Sequence, residues 1–240
     1  MRRSIRTSLA ILFLLAATHA AAEVQEKTYA YQKGQVVDFL FAIQNPDSGA
    51  LLKTYFDEAI PIAVENGYQP LPGFRPGASP TQGNFHPDFI AIGAWPSVAQ
   101  RKRALHVLES RLPEFHQWRR DIWSVFGVTY YEMPEDVSFV YRSDRLHVLT
   151  AYWAKDPSAF KTFERRWAKE ATRAGGRLLL ELKDGESPFG YHHRPDYMTL
   201  TQWDDQAAFD AFLAKNRAMD HGSVEHVHQF PVTPPPPKGK

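Results

Sequence analysis

The sequence predicts an α+β fold in which one β-α-β-β-α-β unit is written twice. Three observations carry that expectation. Sliding the chain along itself by 108 residues aligns 53–95 with 161–203 without a gap, and eleven of the 43 aligned positions are identical. Within each copy the hydrophobic pattern switches in the same order between period two and helical spacing. Matching turn residues punctuate both copies, Gly77-x-Ser79-Pro80 with Gly185-x-Ser187-Pro188 and Pro87-Asp88 with Pro195-Asp196. Self-similarity over such a span marks repeated architecture.

The second copy is the clearer one. Residues 146–153 are apolar, aromatic and β-branched throughout, as a buried strand requires. Asp156-Pro157 then supplies an N-cap and a proline at the first helical position. Phe160, Phe163, Trp167 and Ala171 recur at helical spacing until Gly175-Gly176 stops the helix. Residues 177–183 form a second strand, 185–194 a loop, and 196–203 an alternating third strand. Asp204 is the expected cap of a second helix bearing Phe209, Phe212 and Leu213, and 223–232 is the last strand.

The first copy follows the same order, with a strand at 36–43, a helix over about 47–66 and a third strand at 88–95. Its second helical region is longer, and Pro113 divides it in two, with Phe115, Trp118 and Ile122 on the later piece. Ser124-Val125 matches Ser223-Val224 at an offset of 99, which accounts for the insertion. The expected units are 35–132 and 146–232, preceded by a segment at 23–34. A linker at 133–145 joins them and can add a short strand at 137–141; a proline-rich tail, 233–240, closes the chain.

Residues 1–22 read as an export signal. Arg2, Arg3 and Arg6 precede a short apolar run, and Ala20 and Ala22 fit a small-residue cleavage site. That run is far shorter than the roughly 20 residues a spanning helix needs. Without those three arginines, 25 of the 28 basic residues remain against 27 acidic ones. Such a balance argues against an electrostatic grip on nucleic acid. The absence of cysteine excludes disulfides, thiolate metal sites and thiol nucleophiles. The reading is therefore a periplasmic or secreted protein, monomeric or homodimeric, with no nucleic-acid partner and no membrane association after cleavage.

A β-α-β-β-α-β unit is the ferredoxin-like plan, whose helices cover one face of the sheet. The open face is hidden when two units pair their sheets into an intramolecular barrel. In this the chain resembles a tandem member of the dimeric α+β barrel superfamily. Its second unit resembles the domain of unknown function 1330 family through the aromatic helix ending in Gly175-Gly176, Pro195-Asp196-Tyr197, Gln202-Trp203 and Ala207-Ala208-Phe209. NIPSNAP-type proteins are more distant. The resemblance implies a barrel that holds a small molecule, in a superfamily of cofactor-free monooxygenases, haem-degrading enzymes and haem-bearing chlorite dismutase-like proteins. Fold alone does not choose among these.

Strand alternation divides the third strands into Ile90, Ile92, Ala94, Met198, Leu200 and Gln202 on one face, and aromatic or small residues on the other. Assigning aliphatics to the helix-covered face puts Phe89, Trp95, Tyr197, Thr199, Thr201 and Trp203 in the barrel interior, joined by Tyr152 and Thr150. These are the expected walls of a site for a small, aromatic organic ligand; solid barrel filling is the alternative. His226 and His228 share one side of the last strand and can act as a general base. His147 falls on the opposite parity. Arg194, in the loop Tyr191-His192-His193-Arg194, can pair with a ligand carboxylate at the barrel rim. Arg101-Lys102-Arg103 and Arg119-Arg120 read as solvated helix faces. No cofactor is predicted, with haem or a divalent metal as the alternatives left open: two histidines need a third ligand to hold a metal, and no residue match transfers a haem-ligating role.

Overall fold

The computed structural model describes residues 24–191 and 193–235; residues 1–22, where an export signal is expected, and residues 236–240 of the proline-rich tail lie outside them, as do residues 23 and 192. In chain order the elements are β1 (Glu26–Tyr31), β2 (Val36–Gln44), α1 (Gly49–Glu65), β3 (Gln69–Pro76) and β4 (Phe89–Trp95). Then come α2 (Val98–Arg111), α3 (Phe115–Ile122), β5 (Trp123–Glu132) and β6 (Val137–Arg142). The second unit consists of β7 (Leu146–Ala154), α4 (Pro157–Arg173), β8 (Arg177–Lys183), β9 (Tyr197–Trp203), α5 (Gln206–Arg217) and β10 (Val224–Thr233). No helix among the described residues is long and apolar enough to cross a membrane.

Local chemistry sets the helix boundaries. The Asp156 carboxylate accepts the backbone N–H groups of Ser158 and Ala159 at the start of α4, with Pro157 in the first turn. The α5 cap is Asp205 rather than Asp204, since Asp205 has the extended backbone that lets its carboxylate reach the N–H of Ala208. Asp204 instead pairs with Arg145 at 2.5 Å.

Both units are ferredoxin-like, with sheet orders β5-β2-β4-β3 and β10-β7-β9-β8. Strand β10 pairs with β3 to join them into one eight-stranded sheet. At the other edge Tyr130 of β5 and Glu186, just past β8, exchange two backbone hydrogen bonds of 2.9 Å. The sheet thereby closes into a barrel with α1–α3 outside one half and α4–α5 outside the other.

The repeated turn motif sits where the units cross. The Gly77 N–H donates to the Pro231 carbonyl of β10, and the Ser187 hydroxyl donates to the Val128 carbonyl of β5. The shared aspartates act alike: Asp88 accepts the N–H of Gln44 and Asp196 that of Ala154, each at 2.7 Å.

The two faces of the strands are reversed relative to the expectation from alternation. Phe39, Phe41, Ile90, Ile92, Leu149, Leu180, Met198, Leu200 and Phe230 fill the barrel as one cluster. Tyr152, Tyr197 and Trp203 pack outside the barrel beneath α4 and α5, with Phe163, Trp167 and Phe212. Phe89 and Trp95 lie beneath α1–α3. Thr199 and Thr201 share the parity of Tyr197, and Thr201 accepts the indole N–H of Trp203. The cause is size. An eight-stranded barrel has an interior just wide enough for side chains to fill, whereas the helix–sheet layers gain from aromatic rings meeting edge to face, as Tyr152 and Phe163 do at 5.2 Å. The small residue Gly93 leaves space for the ring of Tyr68, which a β-carbon there would strike.

The segment read as a linker is part of the core. Strand β6 pairs along its length with β1, for which no strand was expected. This ribbon brings Tyr29, Tyr31, Phe139 and Tyr141 into the barrel cluster, with Tyr29 and Phe139 stacked at 5.0 Å. Truncation of Phe139 to alanine is expected to cost about 3–5 kcal/mol, the usual range for a buried phenylalanine. A true linker position would shift the urea midpoint hardly at all, so equilibrium denaturation of Phe139→Ala separates the two.

Candidate functional site

With the ribbon packed into the barrel cluster, open space gathers in a mouth lined by the loops that carry Phe85 and His193. That mouth is a cavity of about 1100 Å³. Its inner wall includes Phe85, Trp153, His193, His226 and His228, and its outer wall includes Arg119, Arg120, Phe126, Phe189 and Tyr191.

The inner wall is an aromatic–imidazole cluster. His193 stacks on Phe41 at 4.0 Å, and His226 stacks on Trp153 at 4.1 Å. His228 stands between Trp153 at 4.7 Å and Phe85 at 4.9 Å. Its ring centre is 5.4 Å from that of His226 and 5.9 Å from that of His193. Across the repeat, Phe85 and His193 are equivalent positions, 108 residues apart. Each unit therefore sends the same loop position into the mouth.

His193 is held from both sides. The Thr129 hydroxyl donates to its backbone carbonyl. Gly127 provides the space, since a β-carbon there would stand 2.5 Å from the His193 Cβ. Gly127 and Thr129 are the repeat counterparts of His226 and His228.

The fold keeps two of these imidazoles neutral. Burial pushes His193 down to about 3 and His228 down to about 4, with the neighbouring histidine adding to each shift. Both ring nitrogens of His193 and Nδ1 of His228 are enclosed and lack a hydrogen-bond partner among the described residues. Such groups cost free energy unless something satisfies them.

Of the expected site residues, only His226 and His228 reach this mouth. Phe89, Trp95, Tyr152, Tyr197, Thr199, Thr201 and Trp203 face the helix layers. Thr150 goes with them, because the strand register sets His228 opposite Ala151 and Gln229 opposite Thr150. Arg194 is exposed and its Nε donates to the Gly185 carbonyl at 3.0 Å, which turns it away from the mouth. His147 lies inside the barrel cluster after all, stacked on Tyr141 at 3.8 Å. Lys102, Arg103 and Arg120 are exposed as expected, but Arg101 is buried, and Arg119 lies 3.9 Å over Phe115 and 4.6 Å over Phe126. His193 and Phe85 were missed, although their matched loop positions were the signal.

A porphyrin needs an imidazole nitrogen aimed into open space. The nitrogens of His193 and Nδ1 of His228 are enclosed, and His226 lies flat on Trp153 at the exposed rim. Among the described residues no group of three or more His, Asp or Glu side chains is arranged to hold a metal ion.

No protein-family model matches the chain, and no curated protein is similar to it. Among solved structures, the chain is similar to an anthrone oxidase-like protein, with 12% identity and a TM-score of 0.48 over 86% of this chain and 94% of that one. A variant chlorite dismutase from Candidatus Nitrospira defluvii shows 9% identity and a TM-score of 0.48 over 85% and 93%.

Two outcomes follow from the mouth. An imidazole whose folded value lies below the ordinary 6.5 stays neutral in the native state while the unfolded chain takes up a proton. The associated stability is complete above 6.5 and is lost as pH falls toward about 4 for His228 and about 3 for His193. Urea midpoints should fall from about pH 7 to about pH 5, and less steeply in His193→Phe. Gly127→Val should expel the His193 ring at a cost of about 1–3 kcal/mol. In that variant, NMR titration should find the His193 imidazole moved back toward 6.5.

Proposed function

We propose that the chain is an exported protein that binds a small, planar, mostly aromatic molecule carrying a hydroxyl and an acidic group in the mouth of its barrel. The carrying observation is the pair of imidazoles, His193 without a partner on either nitrogen and His228 without one on Nδ1, set among stacked aromatic rings at one end of a filled barrel. Phe85 and Trp153 offer flat apolar surfaces, Nε2 of His228, which is not among the enclosed atoms, offers a hydrogen-bond partner for a hydroxyl, and Arg119 and Arg120 offer positive charge. Glu225 also lines the mouth and favours a ligand whose acidic group lies toward the arginines. Export rests on the sequence of residues 1–22, and kinship with the domain of unknown function 1330 family rests on the motifs of the second unit.

Titration with 1-hydroxy-2-naphthoic acid, followed by tryptophan fluorescence, tests this reading. Saturable binding is expected, weakened about tenfold or more by His228→Phe or Trp153→Ala, since one lost hydrogen bond or aromatic contact is worth about that much. The absence of saturation with hydroxynaphthoates and hydroxyanthraquinones, or binding indifferent to both substitutions, would sink it.

A second reading, a cofactor-independent oxygenase or isomerase, is favoured by His226. That ring is exposed at the rim beside the neutral His228, where it can take a proton from a bound phenol or activated C–H group. Oxygen uptake or isomerisation of a bound ligand that disappears in His226→Phe, with affinity retained, would establish it.

A further inference from the structure

A second cavity, of about 140 Å³, lies in the first unit between α1–α3 and the outer face of the sheet. Its walls are mainly apolar, but Asp38 of β2 and Arg101 of α2 meet there. Arg101 is only 7% exposed. Its Nε donates to Asp38 at 2.7 Å, the indole N–H of Trp95 donates to the other carboxylate oxygen at 3.0 Å, and the guanidinium lies 4.1 Å over the Tyr130 ring. Among the described residues, neither terminal amino group of Arg101 has a protein acceptor.

The duplication supplies an internal comparison. Strand register equates Asp38, opposite Gly93, with Val148, opposite Thr201. The offset of 108 equates Arg101 with Phe209. Val148 and Phe209 are each 1% exposed and belong to the apolar core beneath α4 and α5. The fold therefore accepts an apolar pair at these positions. A buried ion pair is often no more stabilising than such a pair, so stability alone does not account for it.

We propose that this cavity is a second binding site, adjoining the barrel mouth along Arg119, Trp123, Phe126 and Phe189 but centred on Arg101, for a small aromatic carboxylate with a single ring. The size fits, since a dry cavity of about 150 Å³ takes up one benzene. Charge fits as well: Arg101 and Arg119 face Asp38 across the lining, leaving one net positive charge for one carboxylate. The free amino groups of Arg101 supply two parallel donors, the geometry a carboxylate prefers. Phe56 and Phe189, both exposed, belong to the same lining and mark its outer edge.

Benzoate is the probe. Calorimetry should show one saturable site, at least tenfold tighter for benzoate than for benzamide, and a benzoate-soaked crystal should place the carboxylate at Arg101. The double substitution Asp38→Val/Arg101→Phe, which copies the second unit, should abolish binding there and leave hydroxynaphthoate binding at the mouth unchanged. Ala91→Leu, which keeps the ion pair and reduces the space, should weaken benzoate at least tenfold and covers the case of a double variant that fails to fold. Density for benzoate only in the barrel mouth, equal affinity for benzamide, or undiminished affinity in either variant would overturn the proposal.

Discussion

Each half of this molecule has a sheet with helices on only one face, and the need to cover the other face governs the rest. A four-stranded sheet left open would expose Phe39, Phe41, Ile90 and Ile92 in one unit and Leu149, Met198 and Leu200 in the other. Folding both sheets into one barrel buries these sets against each other. It also removes edges, since β3 pairs with β10 and Tyr130 is bridged to Glu186. Once the barrel exists, its ends become the only places where the interior can meet solvent. The β1–β6 ribbon supplies Tyr29 and Phe139 to the interior, and the two crossing loops form a mouth.

Duplication separates the scaffold from the sites. Identical pairs across the repeat perform the same structural task twice: Asp88 and Asp196 each accept a strand-end N–H. The features proposed for binding sit where the copies differ. Phe85 faces His193, and Gly127 and Thr129 stand where the other unit has His226 and His228. That last difference is geometrically coupled. Gly127 must be small because His193 occupies the space above it, so the second unit's loop can enter only over a first-unit strand lacking the histidines. The mouth is thus asymmetric although the scaffold is nearly symmetric.

Much of the architecture was legible in the sequence, because the repeat and the caps are local or periodic signals. Asp156-Pro157 announces α4, and Pro113 separates α2 from α3 as expected. Facing was not legible from composition. Alternation shows that Tyr197 and Met198 point to opposite sides, but not which side is the barrel. The aromatic helix α4 held the missing information, since Phe160, Phe163 and Trp167 call for aromatic partners on the strands beneath. Strand β1 and the core role of β6 went unseen because their partner strands are over 100 residues apart. His226 and His228 were found by parity on one strand, whereas His193 joins them only through the barrel closure.

The electrostatics of the mouth decide between its two chemical uses. A histidine serves best as a base when its conjugate acid has a pKa near the working pH. Burial has taken His228 down to about 4 and His193 to about 3, so both are neutral but hold a proton weakly. Such rings are poor proton acceptors in a reaction yet sound hydrogen-bond partners for a hydroxyl, because a neutral imidazole has one donor and one acceptor nitrogen. Their environment therefore favours recognition over proton abstraction. Any base must sit where water can stabilise the imidazolium, and among the described residues His226 is the exposed one of the four histidines that line the mouth, His116, His193, His226 and His228. Binding and catalysis, if both occur, are divided between the enclosed rings that hold the ligand and the exposed ring at its edge.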